Sequence, residues 1–239
     1  MKLLTPGIFE TFTEIVAAMS MREQDLPGEN NMSKDQGNPD TAQSNRRELV
    51  TEIGFDASKL ATPQQKHTDI THVVRGEYHA STADALISDE PGWLLGITVA
   101  DCVPLLLYDP ETGGYGVVHS GWKGSAQNIA GGTVAKMVQE FSVRPENLIA
   151  WIGPSAGKES YEVEYDVVSQ FNPRYSQPTE DEKWLFDNKS VVCDQLIDSG
   201  LAPDKIEISS LDTISNQELH SARRDGDESG RMLVVIGRT

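Results

Sequence analysis

The chain has 239 residues, of which 38% are hydrophobic, and its formal net charge at pH 7 is −17. Because this length is long for one domain and short for two, we expect one large domain over residues 1–239. No run of basic residues is longer than a pair, and a strongly acidic surface repels a phosphate backbone, so the composition argues against a nucleic-acid partner.

Cysteine content and hydropathy predict a cytoplasmic protein. Cys102 and Cys193 are the only two cysteines, fewer than a secreted disulfide framework normally uses. Glu10 and Glu14 interrupt the N-terminal segment, which makes it a poor signal peptide. No apolar run is long enough to cross a bilayer, so we also expect no membrane partner.

Strand and helix patterns alternate unevenly, which predicts an α+β (mixed α/β) domain with mixed sheets. In chain order, we predict a polar loop at 22–45, a helix that begins at Thr41 or Ser44 and ends at Gly54, and a strand at 72–76. Next come two strand-like halves within 93–109, a strand leading into a glycine turn at 114–124, and a helix at 126–141. The last predicted elements are a strand at 146–155, a helix at 190–201 and a closing strand at 231–238. Pro104 interrupts the second half of 93–109, which predicts a bulge or an edge position there.

Four groups of chemically active side chains interrupt these elements. Asp101 and Cys102 stand in the apolar run "VADCVPLLLYD", where an ionisable pair is costly unless it has partners. His67 lies in the polar segment "QQKHTD", and His119 follows a predicted strand in "VVHSGWKG". The fourth group is "SARRDGDESGRM", which contains an arginine pair.

His67, Cys102 and His119 are of the types that bind zinc. Two imidazoles and one thiolate fill three tetrahedral positions and leave the fourth open, which is typical of a catalytic zinc site. Neighbouring strands joined by a turn at 109–114 would set Cys102 beside His119. The remaining histidines have no comparable context, and we expect them at the surface or as capping residues: His72, His79 and His220.

Other interpretations of these residues stay open. A lone strand cysteine is often a small buried apolar residue, and a loop histidine is often solvated. Alternatively, Cys102 and His119 form a thiolate–imidazolium pair, as in cysteine hydrolases, with Asp101 orienting the imidazole. Because strand side chains alternate, we expect Asp101 on the face opposite Cys102, where it either ends the strand through hydrogen bonds or orients an imidazole.

The arginine pair Arg223 and Arg224 precedes the closing strand. Such a pair is ordinarily a solvated basic turn. In so acidic a chain, a planar guanidinium also suits a phosphate or carboxylate ligand. We therefore expect Arg224 to contribute to anion binding.

Five sequence blocks resemble successive signature blocks of one known family. They are "QKHTD", "ADALISDEPGWLLGITVADCVPLLLYD", "GVVHSGWKGSAQNIAGGTV", "IGPSAGKESYEV" and "RRDGDESGRM". The family is the polyphenol oxidase (laccase) domain family, whose members are also described as zinc-dependent purine nucleoside phosphorylases with adenosine deaminase activity. The resemblance runs from about residue 8 to the C-terminus in the order of the family's blocks.

The resemblance implies a fold, a metal and a substrate class. The fold would be layered as helix–sheet–sheet–helix, and His67, Cys102 and His119 would be the catalytic zinc ligands, with copper as an alternative metal. Asn45 and Arg46 match a family block; with Lys123 and Arg224 they would form a polar or phosphate-binding wall. The partners would be a purine nucleoside and phosphate.

The chain departs from the family pattern at three places. Ser155 and Asp212 stand where the family usually has cysteine, and "SMREQDLPGENN" replaces a glycine-rich loop. The zinc ligands are intact, so the departures bear on substrate range more than on metal binding.

The resemblance implies a zinc-dependent purine nucleoside phosphorylase acting on adenosine, inosine and methylthioadenosine, with adenosine deamination as a further activity. A copper-dependent polyphenol oxidase is an alternative, although multicopper chemistry needs more ligands than the five histidines of this chain. A cysteine hydrolase that uses Cys102 and His119 on amide bonds of cell-wall precursors is another. The last alternative is a zinc-binding partner protein without catalysis. The sequence leaves substrate preference and oligomeric state open.

Overall fold

The computed structural model describes residues 1–239 and contains fourteen strands and six α-helices. The strands are β1 (Leu3–Leu4), β2 (Ile15–Ser20), β3 (Leu60–Ala61), β4 (Thr71–Val73), β5 (Ala85–Ser88), β6 (Leu94–Val99), β7 (Val103–Tyr108), β8 (Tyr115–Ser120), β9 (Ile149–Ile152), β10 (Glu162–Val163), β11 (Ser176–Pro178), β12 (Trp184–Phe186), β13 (Ile206–Ile208) and β14 (Met232–Arg238). The helices are α1 (Pro39–Glu52), α2 (Trp122–Ala126), α3 (Ile129–Phe141), α4 (Tyr165–Val168), α5 (Asn188–Asp198) and α6 (Ala222–Asp225). None of these helices has the length and apolar character that a membrane span requires.

Two large sheets and one small sheet organise the strands. The five-stranded sheet has the order β1-β2-β14-β6-β3, and the six-stranded sheet has the order β13-β9-β7-β8-β5-β4. Each large sheet is mainly antiparallel with parallel pairs at an edge: β3 with β6 in the first, and β4 with β5 and β13 with β9 in the second. The small sheet, β10-β12-β11, is antiparallel.

Side-chain alternation along β14 shows how the layers form. Met232, Val234 and Ile236 pack into the core between the two large sheets. Leu233 and Val235 point to the opposite face, where they pack beneath α1. All five side chains are buried. Because both faces of β14 are covered, its sequence is an uninterrupted apolar run.

Helices cover the outer face of each large sheet. Leu49 and Val50 of α1 pack on the five-stranded sheet. The helices α3 and α5 pack on the six-stranded sheet, where Val134 and Leu196 contact Leu105 and its neighbours in one cluster. The predicted α+β class with a helix–sheet–sheet–helix arrangement is therefore confirmed.

The first helix begins earlier than its sequence pattern predicted. Asn38 caps α1, because its side-chain oxygen accepts hydrogen bonds from the backbone N–H groups of Asp40 at 2.9 Å and Thr41 at 3.2 Å. Pro39 occupies the first helical position, where its missing N–H costs nothing. The loop predicted to reach residue 45 is therefore shorter, while Gly54, with φ +82°, follows the helix end as predicted.

Pro104 lies in a central strand, so the predicted bulge or edge position is wrong. β7 pairs with β8 on one side and with β9 on the other. The ladder with β9 ends at Leu105 and Ile152, and beyond it the Pro104 carbonyl still accepts the Gly153 N–H at 2.9 Å. The missing N–H of Pro104 therefore falls where this ladder ends.

His220 is buried and is not a helix cap, so its predicted position at the surface or as a capping residue is wrong. It is only 2% exposed, and its Nε2 has no hydrogen-bond partner. Its ring lies against Gly230, where an added Cβ would come within 2.5 Å of the imidazole. Burial, together with the nearby charge of Arg22, lowers the pKa of His220 to about 4.

The substitution His220→Gln tests the energetic consequence of this burial. An unfolded histidine has a pKa near about 6.5, so between there and about pH 4 the unfolded chain binds a proton that the folded chain excludes. The free energy of unfolding should therefore fall as the pH drops through this window, and His220 should contribute at most about 1.4 kcal/mol per pH unit. Urea unfolding of the natural chain and the variant at several pH values would measure the difference in slope.

His79→Gln is the matched control, because the His79 side chain is 91% exposed. This variant should keep the slope of the natural chain. An unchanged slope in His220→Gln would contradict the prediction.

Candidate metal centre

Three side chains that can ligate a metal meet at one end of the six-stranded sheet. The ligand atoms of His67, Cys102 and His119 all lie within 4.8 Å of one another. Cys102 Sγ is 3.8 Å from His67 Nε2, and the two imidazole rings meet edge to face with centroids 4.9 Å apart. His119 is buried, Cys102 is half-buried and His67 is exposed, so the cluster opens to solvent on one side.

Cys102 lies at a sharp crossing between the two large sheets. β6 ends at Val99 in the five-stranded sheet, and β7 begins at Val103 in the six-stranded sheet. Asp101 takes a φ of +83° within this crossing, a conformation that is uncommon for a residue with a side chain. Cys102 therefore lies on the connection between the two strands. The expectation that it lies within a strand is wrong.

Asp101 holds this crossing in place. Its Oδ1 accepts a hydrogen bond from the Thr213 hydroxyl at 2.6 Å, and its Oδ2 accepts one from the Arg223 backbone N–H at 2.7 Å. Its carbonyl also accepts the Ala156 N–H at 2.9 Å. Of the two alternatives left open for Asp101, the one in which it orients an imidazole is wrong, and the one in which it is a hydrogen-bonded residue at a strand end is confirmed.

The carboxylate that orients a histidine is that of Asp84, which the sequence analysis missed. Asp84 Oδ1 lies 2.8 Å from His119 Nδ1. Its Oδ2 accepts hydrogen bonds from the Thr68 N–H at 2.6 Å, the Thr68 hydroxyl at 2.8 Å and the Lys66 N–H at 3.1 Å, which fixes the loop that carries His67. One carboxylate thus positions both histidine segments and leaves His119 Nε2 free for a metal.

A sequence signal for Asp84 does exist. It is the single charged residue in the apolar segment "ADALIS", and it is fully buried. The signal was missed because 35 residues separate Asp84 from His119.

Electrostatics favour an ionised thiol in this cluster. Burial alone would raise the pKa of Cys102, but the charge and hydrogen bonding of His119, together with His67, outweigh it and lower the pKa to about 6. Burial alone would lower the pKa of His119, but the negative charges and hydrogen bonds of Cys102 and Asp84 outweigh burial and raise this pKa. The metal-free cluster is therefore held as a thiolate beside a protonated imidazole, and His119 must release its Nε2 proton before that nitrogen can bind a metal.

Gly121 forms the floor of the cluster. A Cβ added there would lie 2.7 Å from the His67 ring and 3.0 Å from Cys102 Sγ. The glycine in "HSGWKG" thus lets the backbone approach the ligands closely. Two imidazoles and a thiolate around such a space fit a zinc ion, which accepts nitrogen and sulfur donors in tetrahedral geometry.

The cluster lies at the base of a cleft of about 1090 Å³. Trp122 and Tyr161 line it with aromatic surface, and Arg46 and Lys123 line it with positive charge. Its volume is slightly above the range of about 300–1,000 Å³ that is usual for small-molecule sites.

Two residues of the expected phosphate-binding wall lie outside the cleft. The Arg224 guanidinium is paired with Asp225 at 2.7 Å and donates to backbone carbonyls, among them those of Thr213 and Leu219. The Asn45 amide donates to the Asn31 carbonyl at 3.0 Å. The structure instead brings to the cleft wall Arg223, the other member of the predicted arginine pair, and Arg231, which the sequence analysis did not select.

Ser155 and Asp212, which stand where the family usually has cysteine, lie next to each other in one hydrogen-bonded region. Ser155 and Asp212 pair as an isolated β-bridge. The Asp212 carboxylate accepts hydrogen bonds from the Gly157 N–H at 3.0 Å and the Ser160 hydroxyl at 2.6 Å. These contacts hold the segment that leads to Tyr161 in the cleft wall.

Substituting Asp84 tests its positioning role. Asp84→Asn removes the charge that fixes His119, and loss of such a supporting group typically lowers metal affinity about 10–100-fold. We expect a loss of zinc affinity of this size, measured by competition with a chromophoric chelator.

Asp109→Asn is the matched control. Asp109 is also a fully buried carboxylate, and it accepts hydrogen bonds from the Glu111 N–H and the Thr112 hydroxyl in the turn between β7 and β8. This variant should lose stability but keep zinc affinity. Equal zinc affinity in Asp84→Asn and the natural chain would show that the hydrogen bond does not support the ligand.

Comparison with known proteins identifies relatives over most of the chain. The chain is 32% identical to a purine nucleoside phosphorylase of Deinococcus radiodurans over 214 residues, which cover 87% of this chain and 81% of the relative. It is 34% identical to a purine nucleoside phosphorylase of Bacteroides thetaiotaomicron over 197 residues, which cover 74% of this chain and 73% of the relative.

Solved structures share the fold. The hypothetical protein YfiH of Bacillus licheniformis superposes with a TM-score of 0.92 at 25% identity, covering 99% of this chain and 96% of that one. YlmD of Geobacillus stearothermophilus superposes with a TM-score of 0.89 at 28% identity, covering 96% and 93%. The family model described as multi-copper polyphenol oxidoreductase laccase matches residues 18–239. The chain therefore belongs to this laccase-like family, as its sequence blocks indicated.

Proposed function

We propose that this chain is a zinc-dependent purine nucleoside phosphorylase that cleaves the N-glycosidic bond of adenosine, inosine or methylthioadenosine with phosphate. The cluster of His67, Cys102 and His119 at the base of a cationic cleft carries the proposal. The relatives named purine nucleoside phosphorylase support it, because the chain covers most of their length. Two free cysteines suit a reducing cytoplasm, where we place the enzyme.

His67, Cys102 and His119 would hold the zinc ion and are the proposed catalytic residues. When bound, zinc supplies Lewis acidity, which polarises an oxygen of phosphate, ribose or water. Asp84 holds His119 Nδ1 and so keeps Nε2 directed to the metal. Gly121 keeps the space between the ligands clear of side-chain atoms.

The cleft walls would bind the two substrates. The rings of Trp122 and Tyr161 line the cleft and offer apolar faces on which a purine base can stack. The lysine and arginine side chains of the wall offer donors to the phosphate. Adenosine deamination is a second proposed activity of the same centre, since three protein ligands leave a position open for water.

Zinc is the metal that we propose, although the family description names copper. A multicopper centre needs several groups of histidine ligands. His67 and His119 belong to the cluster, and His72, His79 and His220 lie outside it. The single three-ligand cluster suits one zinc ion.

Phosphate dependence is the test of the proposed reaction. Inosine incubated with the zinc-loaded protein should yield hypoxanthine and ribose 1-phosphate when phosphate is present, and no free base when it is absent. Chromatography of the products distinguishes this outcome from hydrolysis, which releases base without phosphate. Absence of base release from every purine nucleoside would contradict the proposal.

The two cysteines supply a matched pair of variants for the same assay. Cys102→Ser should lose bound zinc and at least about 100-fold of activity, since removing a ligand should exceed the effect of removing a supporting group. Cys193, half-buried on α5, lies outside the cluster, so Cys193→Ser should keep both zinc and activity.

Thiol labelling separates the metal site from a cysteine hydrolase. Since the cluster can hold Cys102 as a thiolate beside His119, the same geometry supports a nucleophile. A thiolate bound to zinc reacts slowly with iodoacetamide, and a free thiolate of lowered pKa reacts fast. We expect slow labelling of Cys102 in the zinc-loaded protein and fast labelling after chelation, measured by peptide mass spectrometry.

Cys193 is the internal standard for this experiment. Burial raises the pKa of its thiol, so it should react slowly both with and without metal. Fast labelling of Cys102 in the zinc-loaded protein, with stoichiometric loss of activity, would favour the hydrolase.

A further inference from the structure

Positive charge is concentrated in the cleft although the chain is strongly acidic. The cleft wall contains two carboxylates, Asp35 and Asp101. The basic residues of the wall outnumber them: Lys34, Arg46, Lys66, Lys123, Arg223 and Arg231. A concave surface with this excess of cations attracts an anionic ligand in a protein whose net charge is −17.

Arg46 and Arg231 are the half-buried arginines of the cleft wall, and neither forms an ion pair with a carboxylate, whereas Arg223, the third arginine of the wall, is exposed. Ion pairs engage five other arginines, namely Arg22, Arg75, Arg144, Arg174 and Arg224. Both side chains are half-buried, and burial lowers the pKa of each guanidinium, an effect that the charge of Asp35 partly offsets at Arg46. A partly desolvated cation with no carboxylate in direct contact is stabilised when a ligand supplies an opposite charge.

The free edges of the two guanidinium groups suit an oxyanion. Arg231 uses Nη1 to donate to the carbonyls of Ser229 at 2.7 Å and Gly230 at 2.9 Å, while its Nε and Nη2 have no protein acceptor. Arg46 uses Nε to donate to the Met32 carbonyl at 2.5 Å, and its terminal nitrogens have no protein acceptor. Arg231 therefore offers a free Nε–Nη2 edge, and Arg46 offers its two terminal nitrogens; either pair of donors can bind two oxygens of a phosphate.

Both arginines are fixed to the same short segment of backbone. Met32 accepts from the Arg46 side chain through its carbonyl, and its N–H donates to the Arg231 carbonyl at 2.9 Å. The Arg231 N–H donates to the Asn31 side chain at 2.9 Å, and the Asn45 amide donates to the Asn31 carbonyl. The segment at Asn31 and Met32 therefore holds the two guanidinium groups on one wall, with Asn45 as a positioning residue.

The wall with Arg231 also lies near the metal cluster. The charges of Cys102 and Asp101 act on the Arg231 guanidinium, and they offset part of the effect of its burial. Both arginines line the same cleft as His67, Cys102 and His119. A ligand held by these arginines would therefore occupy the same cleft as the cluster.

We infer that Arg46 and Arg231, and not Arg224, form the subsite of this cleft that binds a phosphate group. The inference rests on the proposed function in assigning the site to a nucleoside enzyme. The phosphate group has two possible sources: free phosphate as a co-substrate, or a phosphate ester on the nucleoside. Both present the same tetrahedral oxyanion to the two guanidinium groups.

Calorimetric titration of the zinc-loaded protein with inorganic phosphate tests the subsite directly. Arg46→Gln and Arg231→Gln should each weaken phosphate binding at least about tenfold, because each removes charge-assisted hydrogen bonds. The apparent KM for phosphate should rise by a similar factor, while the KM for inosine changes less than about twofold. Arg231→Lys keeps the charge but loses the fork, so it should restore only part of the affinity.

Arg47→Gln is the control for the loss of one positive charge. Arg47 is adjacent to Arg46 on α1 but lies outside the cleft wall. This variant should bind phosphate as the natural chain does. Circular dichroism and thermal unfolding of every variant identify loss of the fold, and Arg46→Lys replaces Arg46→Gln if that variant fails to fold.

Inosine 5′-monophosphate distinguishes the two phosphate sources. If the subsite takes an ester, this nucleotide should bind more tightly than inosine, and the arginine variants should abolish the difference. If it takes free phosphate, the nucleotide should bind no more tightly than inosine, and the variants should raise only the KM for phosphate.

The outcomes separate this inference from the proposed function. Unchanged binding of both phosphate and the nucleotide in the two glutamine variants would overturn the subsite, even if the natural chain cleaves inosine. Arginine-dependent phosphate binding without any phosphorolysis would retain the subsite and reject the proposed reaction.

Discussion

A buried hydrogen bond between Asp84 and His119 underlies the arrangement of the candidate metal centre. Burial of Asp84 opposes ionisation, but hydrogen bonds from His119 and Thr68 outweigh it and hold the carboxyl pKa well below its usual range. The carboxylate accepts from the His119 ring with one oxygen and from the loop that carries His67 with the other. Because both histidine segments depend on one buried anion, their relative position is set before any metal binds.

The layered fold supplies the third ligand through its connectivity. The chain passes from the five-stranded sheet to the six-stranded sheet between Val99 and Val103, and this short crossing carries Cys102. Asp101 stabilises the crossing by accepting hydrogen bonds from Thr213 and Arg223, so the C-terminal part of the chain also fixes the thiol. A crossing as short as this restricts the thiol more than a long loop would, which favours a preorganised site.

Charge is segregated between the outer surface and the cleft. An excess of carboxylates gives the whole chain its net charge of −17, yet cations predominate in the cleft wall. Arg224 satisfies its guanidinium within the protein, whereas Arg46 and Arg231 direct unused donors into the cleft. Arginine therefore stabilises the fold at position 224 and offers free donors to a ligand at positions 46 and 231. The difference lies in which hydrogen-bond acceptors surround each guanidinium group.

The sequence by itself determined the fold class and the three ligand-type residues, because apolar periodicity and side-chain chemistry are local properties, and the resemblance of its blocks indicated the family. The continuous apolar run of β14 and the glycine after α1 are examples, since each depends on a few neighbouring residues.

Only the tertiary structure decided that Asp84, and not Asp101, orients His119, that Pro104 lies in a central strand, and that His220 is buried. It also decided which arginines face the cleft, because adjacent residues such as Arg223 and Arg224 point to different surroundings. These properties depend on contacts between residues far apart in the chain, which the packing of the two sheets creates and no local pattern encodes.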